Sequence, residues 1–94
     1  MIKNKTHNCY GKIFGFVQGV GYRVWLKKTA ENYDLSGWVK NCKDKTVEFE
    51  VNGEKEKIEY FIKDCYKGPL LSKVSKIDIK FLDFQSYKEF EIKY

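Results

Sequence analysis

The sequence predicts a small α+β domain: an antiparallel sheet with two helices packed on one face. Three observations predict it. Two segments repeat apolar residues at the three-and-four spacing of a buried helical stripe, and several shorter ones alternate apolar and polar residues as half-buried strands do. Their order is βαββαβ with one short strand added, which is the split βαβ, ferredoxin-like arrangement. The length of 94 residues suits a single domain over 1–94.

The first strand is expected over Cys9 to Phe16, where Tyr10, Ile13, Phe14 and Phe16 mix with small residues before a glycine-punctuated loop from Val17 to Gly21. The first helix follows, with Tyr22, Leu26, Thr29, Ala30 and Tyr33 on one face. Ser36 to Asn41 and Thr46 to Val51 read as a strand pair joined by a charged turn. Ile58, Phe61, Ile62 and Cys65 mark the second helix, between a cap at Asn52 or Gly53 and a Gly68-Pro69 stop. Ile77, Ile79 and Phe81 alternate with Lys76, Asp78 and Lys80 in a further strand, and Phe90, Ile92 and Tyr94 outline a short last one. Residues 1–7 are expected to be a flexible flank that leaves His7 exposed.

Composition narrows the function. The apolar runs fall far short of the ~20 residues that span a bilayer, and no apolar stretch follows the polar start as in a secretory leader. A cytoplasmic protein without a membrane partner is therefore expected. Cys9, Cys42 and Cys65 match neither a zinc-ligand spacing nor a C-x-x-C motif, so no metal and no disulfide are expected. The net charge of +5 is uneven: Met1 to Val47 holds nine Lys/Arg against three Asp/Glu, whereas Glu48 to Tyr94 holds nine against ten. The first half should attract anions.

The richest stretch is Gly15-Phe16-Val17-Gln18-Gly19-Val20-Gly21-Tyr22-Arg23. Glycines at 15, 19 and 21 let the backbone turn sharply and gather N–H groups into one concavity, and the helix adds its unpaired donors and positive dipole end. An anion fits there. No Lys-Ser or Lys-Thr follows, so this is not a Walker loop. A cation in the first helical turn opposes the macrodipole by about 0.3–1 kcal/mol. Arg23 is therefore better explained by a bound anion, and its planar fork can grip two phosphate oxygens at once. Asn41, at the end of its strand before Cys42-Lys43-Asp44-Lys45, is read either as ordinary turn chemistry or as a holder of water.

Val17-Gln18-Gly19-Val20-Gly21-Tyr22-Arg23, then Leu35-Ser36-Gly37-Trp38-Val39-Lys40-Asn41, then Gly68-Pro69 together resemble the successive signatures of the acylphosphatases, over almost the whole chain. The resemblance implies a ferredoxin-like fold and cofactor-free, metal-free hydrolysis of the carboxyl–phosphate bond of acyl phosphates. It implies a phosphate-binding arginine at Arg23, a cradle loop at Gln18, Gly19, Val20, Gly21 and Tyr22, and a water-orienting asparagine at Asn41. Inorganic phosphate is then both product and competing ligand, and a monomer is expected. Asp34 and Lys45 stand where the family commonly has glycine. A lysine resists the positive φ angles of an Asp-Gly turn, which bears on where Asn41 is placed.

Other readings are weaker. Lys12-Ile13-Phe14-Gly15-Phe16-Val17-Gln18-Gly19 partly matches an RNA-binding pattern, but lacks its second glycine and last aromatic and lies on the first strand, so no nucleic acid is expected. A catalytically idle relative that binds anions or a protein is the main alternative. Catalysis through Cys42 lacks a placed base.

Overall fold

The computed structural model describes residues 6–83 and 87–94. Its elements are β1 (Thr6–Phe16), α1 (Tyr22–Asn32), β2 (Ser36–Asn41), β3 (Val47–Glu54), α2 (Lys55–Lys67), β4 (Lys73–Leu82) and β5 (Phe90–Lys93). The strands form one sheet in the order β4-β1-β3-β2-β5.

Register assigns the faces. Cys9, Gly11 and Ile13 of β1 stand opposite Val51, Phe49 and Val47 of β3, and Phe49 stands opposite Val39 of β2. With period-two geometry these side chains share a face. They join Leu26 and Ala30 of α1 and Ile58, Phe61 and Cys65 of α2 in one buried cluster, so both helices cover that face. The other face carries Tyr10, Lys12 and Phe14 of β1, Glu48 and Glu50 of β3, and Trp38 and Lys40 of β2.

Four expectations are corrected. The sheet is mixed: β5 pairs β2 in parallel, because the chain passes from the β4 edge to the opposite edge before β5 begins. Of the expected N-terminal flank, Thr6 and His7 belong to β1. Thr6 pairs Glu54, His7 pairs Gly53, and His7 is half-buried; the rest, 1–5, lies outside the described residues. Asn52 and Gly53 do not cap α2. They complete β3 opposite Asn8 and His7, and the cap is Glu54, in extended conformation at φ −66°. Gly15 is not part of the loop cradle; it sits in β1 beside a register shift against β4, and a Cβ there would lie 2.1 Å from the Lys73 carbonyl oxygen.

Helix α2 places Glu56 in its first turn and Lys67 in its last, both favourable to the macrodipole, and ends at Gly68 as expected. Helix α1 has no acid in its first turn, where Arg23 stands.

The two non-glycine residues with positive φ are, among the described residues, Asp34 (57°) and Lys45 (74°), the same two positions singled out in the sequence. Lys45 thus adopts the left-handed conformation instead of shifting the turn. The β2–β3 hairpin keeps its bonds, Cys42 N–H to the Thr46 carbonyl at 2.9 Å and Lys45 N–H to the Cys42 carbonyl at 3.2 Å. This is a three-residue loop with a left-handed third position. Such a residue costs about 1–2 kcal/mol when it carries a Cβ, partly offset by the ~0.4–1 kcal/mol that glycine loses through its freer unfolded chain. Lys45→Gly should therefore raise the melting temperature by a few degrees, read by a thermal scan beside Lys45→Ala, which should give no gain.

Candidate active site

The loop 17–21 is shaped by backbone conformation. Gly19 and Gly21 both lie at φ 77°. A Cβ at either would meet nothing within 4 Å, so it is the dihedral angle that calls for glycine, and the backbone borders open space. Gly21 is the N-cap of α1 and contributes no side-chain cap. The Trp25 amide closes the first turn on the Gly21 carbonyl at 3.1 Å. The N–H groups of Tyr22, Arg23 and Val24 precede that ladder and are the unpaired donors of a helix start.

Val17, Gly19, Gly21, Tyr22, Arg23 and Asn41 line one pocket of about 110 Å³. At roughly 30 Å³ of liquid per water molecule, that is the room of a few waters and suits one tetrahedral oxyanion. Arg23 is half-buried, with its guanidinium 4.8 Å from the centre of the Tyr94 ring. Among the described residues it makes no ion pair, and the Asn41 carboxamide makes no hydrogen bond. Two groups capable of binding an anion and a water thus meet at a helix N-terminus with no ion-pair or hydrogen-bond partner among the described residues.

Two of the expected loop residues do not line this pocket. Val20 packs against the core. The Gln18 side chain turns away from the cradle, and its Nε2 donates to the carbonyls of Cys42 (2.8 Å) and Thr46 (2.9 Å). It ties the loop to the hairpin that carries Asn41. Gln18→Met, of similar length but without the donor, should lower stability by about 1–3 kcal/mol through the loss of two hydrogen bonds, while both carbonyls keep their backbone partners within the hairpin. It should also lower kcat more than phosphate affinity, since Asn41 moves relative to the cradle; steady-state kinetics beside phosphate titration checks this, and a parental kcat would contradict it.

The hairpin has its own bracing. Asp44 accepts from the Thr46 N–H at 3.1 Å and from the Thr46 hydroxyl, and pairs with Lys12 at 3.0 Å. The Thr46 hydroxyl, then Lys12, hold the Asp44 carboxyl down to about 2, so it is charged through the neutral range. Tyr22 is buried, and its hydroxyl donates to the Cys65 carbonyl. Burial pushes that phenol up, which makes it an anchor rather than an acid or base. Burial, and next the bond to Glu48, push the Cys42 thiol up as well, against a nucleophilic thiolate. Among the described residues no group of three His, Cys, Asp or Glu side chains gathers where it would hold a metal ion. No local pattern marks Tyr94 or the Gln18 clamp as parts of the site, because both act through contacts with residues distant along the chain.

The acylphosphatase family model matches residues 9–92. The chain belongs to the acylphosphatase family. It is 41% identical over 81 residues to the acylphosphatase of Clostridium beijerinckii, covering 85% of this chain and 90% of that one. To the acylphosphatase of Thermococcus kodakarensis it is 33% identical over 81 residues, covering 86% and 89%. Its structure is similar to that of the acylphosphatase of Bacillus subtilis, with a TM-score of 0.91, 30% identity, and coverage of 94% of this chain and 99% of that one. Family membership agrees with the fold expected from the sequence, and among the described residues no helix is long and apolar enough to cross a membrane.

Proposed function

We propose that this protein hydrolyses the carboxyl–phosphate bond of acyl phosphates without a metal or cofactor. The observation that carries this reading is the shared pocket of Arg23, Asn41 and the glycine loop. Arg23 grips the phosphoryl oxygens in a fork, and the amides of Gly19 to Tyr22 with the helix dipole offset the remaining charge. An acyl phosphate is an activated anhydride, so positioning and charge stabilisation meet most of the demand. Asn41 accepts a hydrogen bond from a water and holds it for in-line attack. The water oxygen bonds to phosphorus, the bond from phosphorus to the acyl oxygen breaks, and the carboxylate leaves with the electron pair. A phosphate oxygen of the substrate takes the water's proton, which is consistent with the absence of His, Asp or Glu from the pocket lining.

Arg23, Asn41 and the glycine loop all come from one chain, so the proposed site needs no residue from a second copy. Three unbridged cysteines suit a reducing, cytoplasmic setting.

Phosphate release from benzoyl phosphate in excess chelator tests the metal-free reading. The rate should match that without chelator. Recovery only on adding back a divalent ion would overturn it.

A further inference from the structure

The phosphate pocket has no room for the rest of a substrate, and a larger groove opens beside it. This groove, about 590 Å³, is lined by Lys12, Lys40, Asn41, Lys43, Asp44 and Tyr94 among others. Two residues join the spaces: Asn41 lines both, and Tyr94 in the groove carries the Arg23 guanidinium over its ring. An acyl phosphate held by its phosphoryl group in the small pocket therefore has the groove for its acyl arm.

The charges of the groove are not balanced. Lys12 is paired with Asp44 at 3.0 Å, and Lys40 with Glu48 at 3.7 Å. Asp44 is further engaged by Thr46, and Glu48 by the Tyr10 hydroxyl, and neither pairs with Lys43. Lys43 lines the same groove, is exposed, and has no carboxylate partner among the described residues. Its ammonium is the uncompensated charge on the path of the acyl arm. It lies two residues beyond Asn41, on a hairpin whose shape is fixed by the Cys42–Thr46 bond, the Asp44 bonds and the Gln18 clamp.

The geometry points to Lys43 as a specificity residue that selects acyl phosphates whose acyl chain carries a second negative charge, a carboxylate or a phosphate. The inference rests on the proposed phosphate site, and it concerns which member of the substrate class that site prefers. Lys40, held only at 3.7 Å, is placed to add to the same field. A neutral acyl arm gains nothing from either lysine.

Binding and turnover separate this inference from the reading beneath it. Ethylphosphonate and 3-phosphonopropionate present the same phosphonate head, and only the second carries a carboxylate on its arm. The parent protein should bind 3-phosphonopropionate about two- to five-fold more tightly, the scale of one exposed ion pair, with the ratio shrinking as salt is raised. Lys43→Met should bring the ratio near one, and Lys43→Glu should invert it. In the same proteins succinyl phosphate should show a lower KM than propionyl phosphate, with the same dependence on Lys43. Equal affinities in the parent, or a ratio that Lys43→Glu leaves unmoved, would overturn the inference. Tighter, Lys43-dependent binding of the carboxylate probe without hydrolysis of either acyl phosphate would uphold the groove and sink the hydrolase reading instead. An intact fold in each variant is read from its thermal transition.

Discussion

Arg23→Lys is expected to lose about 10²–10³-fold in kcat/KM, the cost of removing one transition-state donor of this kind. The substitution keeps the positive charge, so a role limited to neutralising the pocket would show little change. The guanidinium differs in being a planar fork whose N–H groups meet two phosphoryl oxygens together. It also lies over the Tyr94 ring at 4.8 Å, which limits its orientation before substrate arrives. A lysine ammonium in that place is a point charge on a longer-ranging stem. Most of the loss should appear in kcat, because charge on the equatorial oxygens redistributes in the transition state and the fork follows it. Activity within a few-fold of the parent would remove Arg23 from the mechanism.

Asn41→Ala should separate binding from chemistry. The carboxamide lines the proposed phosphate pocket but forms no hydrogen bond among the described residues, so its removal leaves no protein group unpaired. Phosphate affinity should stay within about two-fold, and phosphate at 100 times Kd should stabilise both proteins by about 2.7 kcal/mol, read from the thermal shift. Turnover should fall by about 10²-fold, the scale on which misplacing a reacting group by an ångström is felt. Phosphate titrations beside kinetics check it. Unchanged turnover would mean that Asn41 is a turn residue and that water is oriented by another group.

Much of this arrangement is legible in the sequence, for local reasons. The start of α1 at Tyr22 and the limits of β2 at Ser36 and Asn41 follow from glycines and apolar spacing that act within a few residues. The cradle is legible in the same way, because Gly19 and Gly21 are required by their own dihedral angles. What escapes is set by partners distant along the chain. Asn52 is expected as a cap and Asn8 falls outside the expected first strand, yet they pair across β1 and β3 and are buried, with Asn8 donating to Glu50. The parallel seating of β5 depends on which sheet edge is free, and strand pattern does not encode that. Gln18 reads as one more member of a phosphate loop, whereas its side chain serves Cys42 and Thr46 on another hairpin. The positive φ of Lys45 has no local sequence signal at all; only the family's habit of glycine there points to it.

On the proposed mechanism, water attacks phosphorus inside the cradle of Arg23 and Asn41. Hydrolysis of benzoyl phosphate in ¹⁸O-labelled water, with the products resolved by mass spectrometry, tests it directly. Protein-dependent turnover is expected, with the label in inorganic phosphate and none in benzoate. Turnover no faster than the spontaneous rate, or label in the benzoate carboxyl, would contradict it.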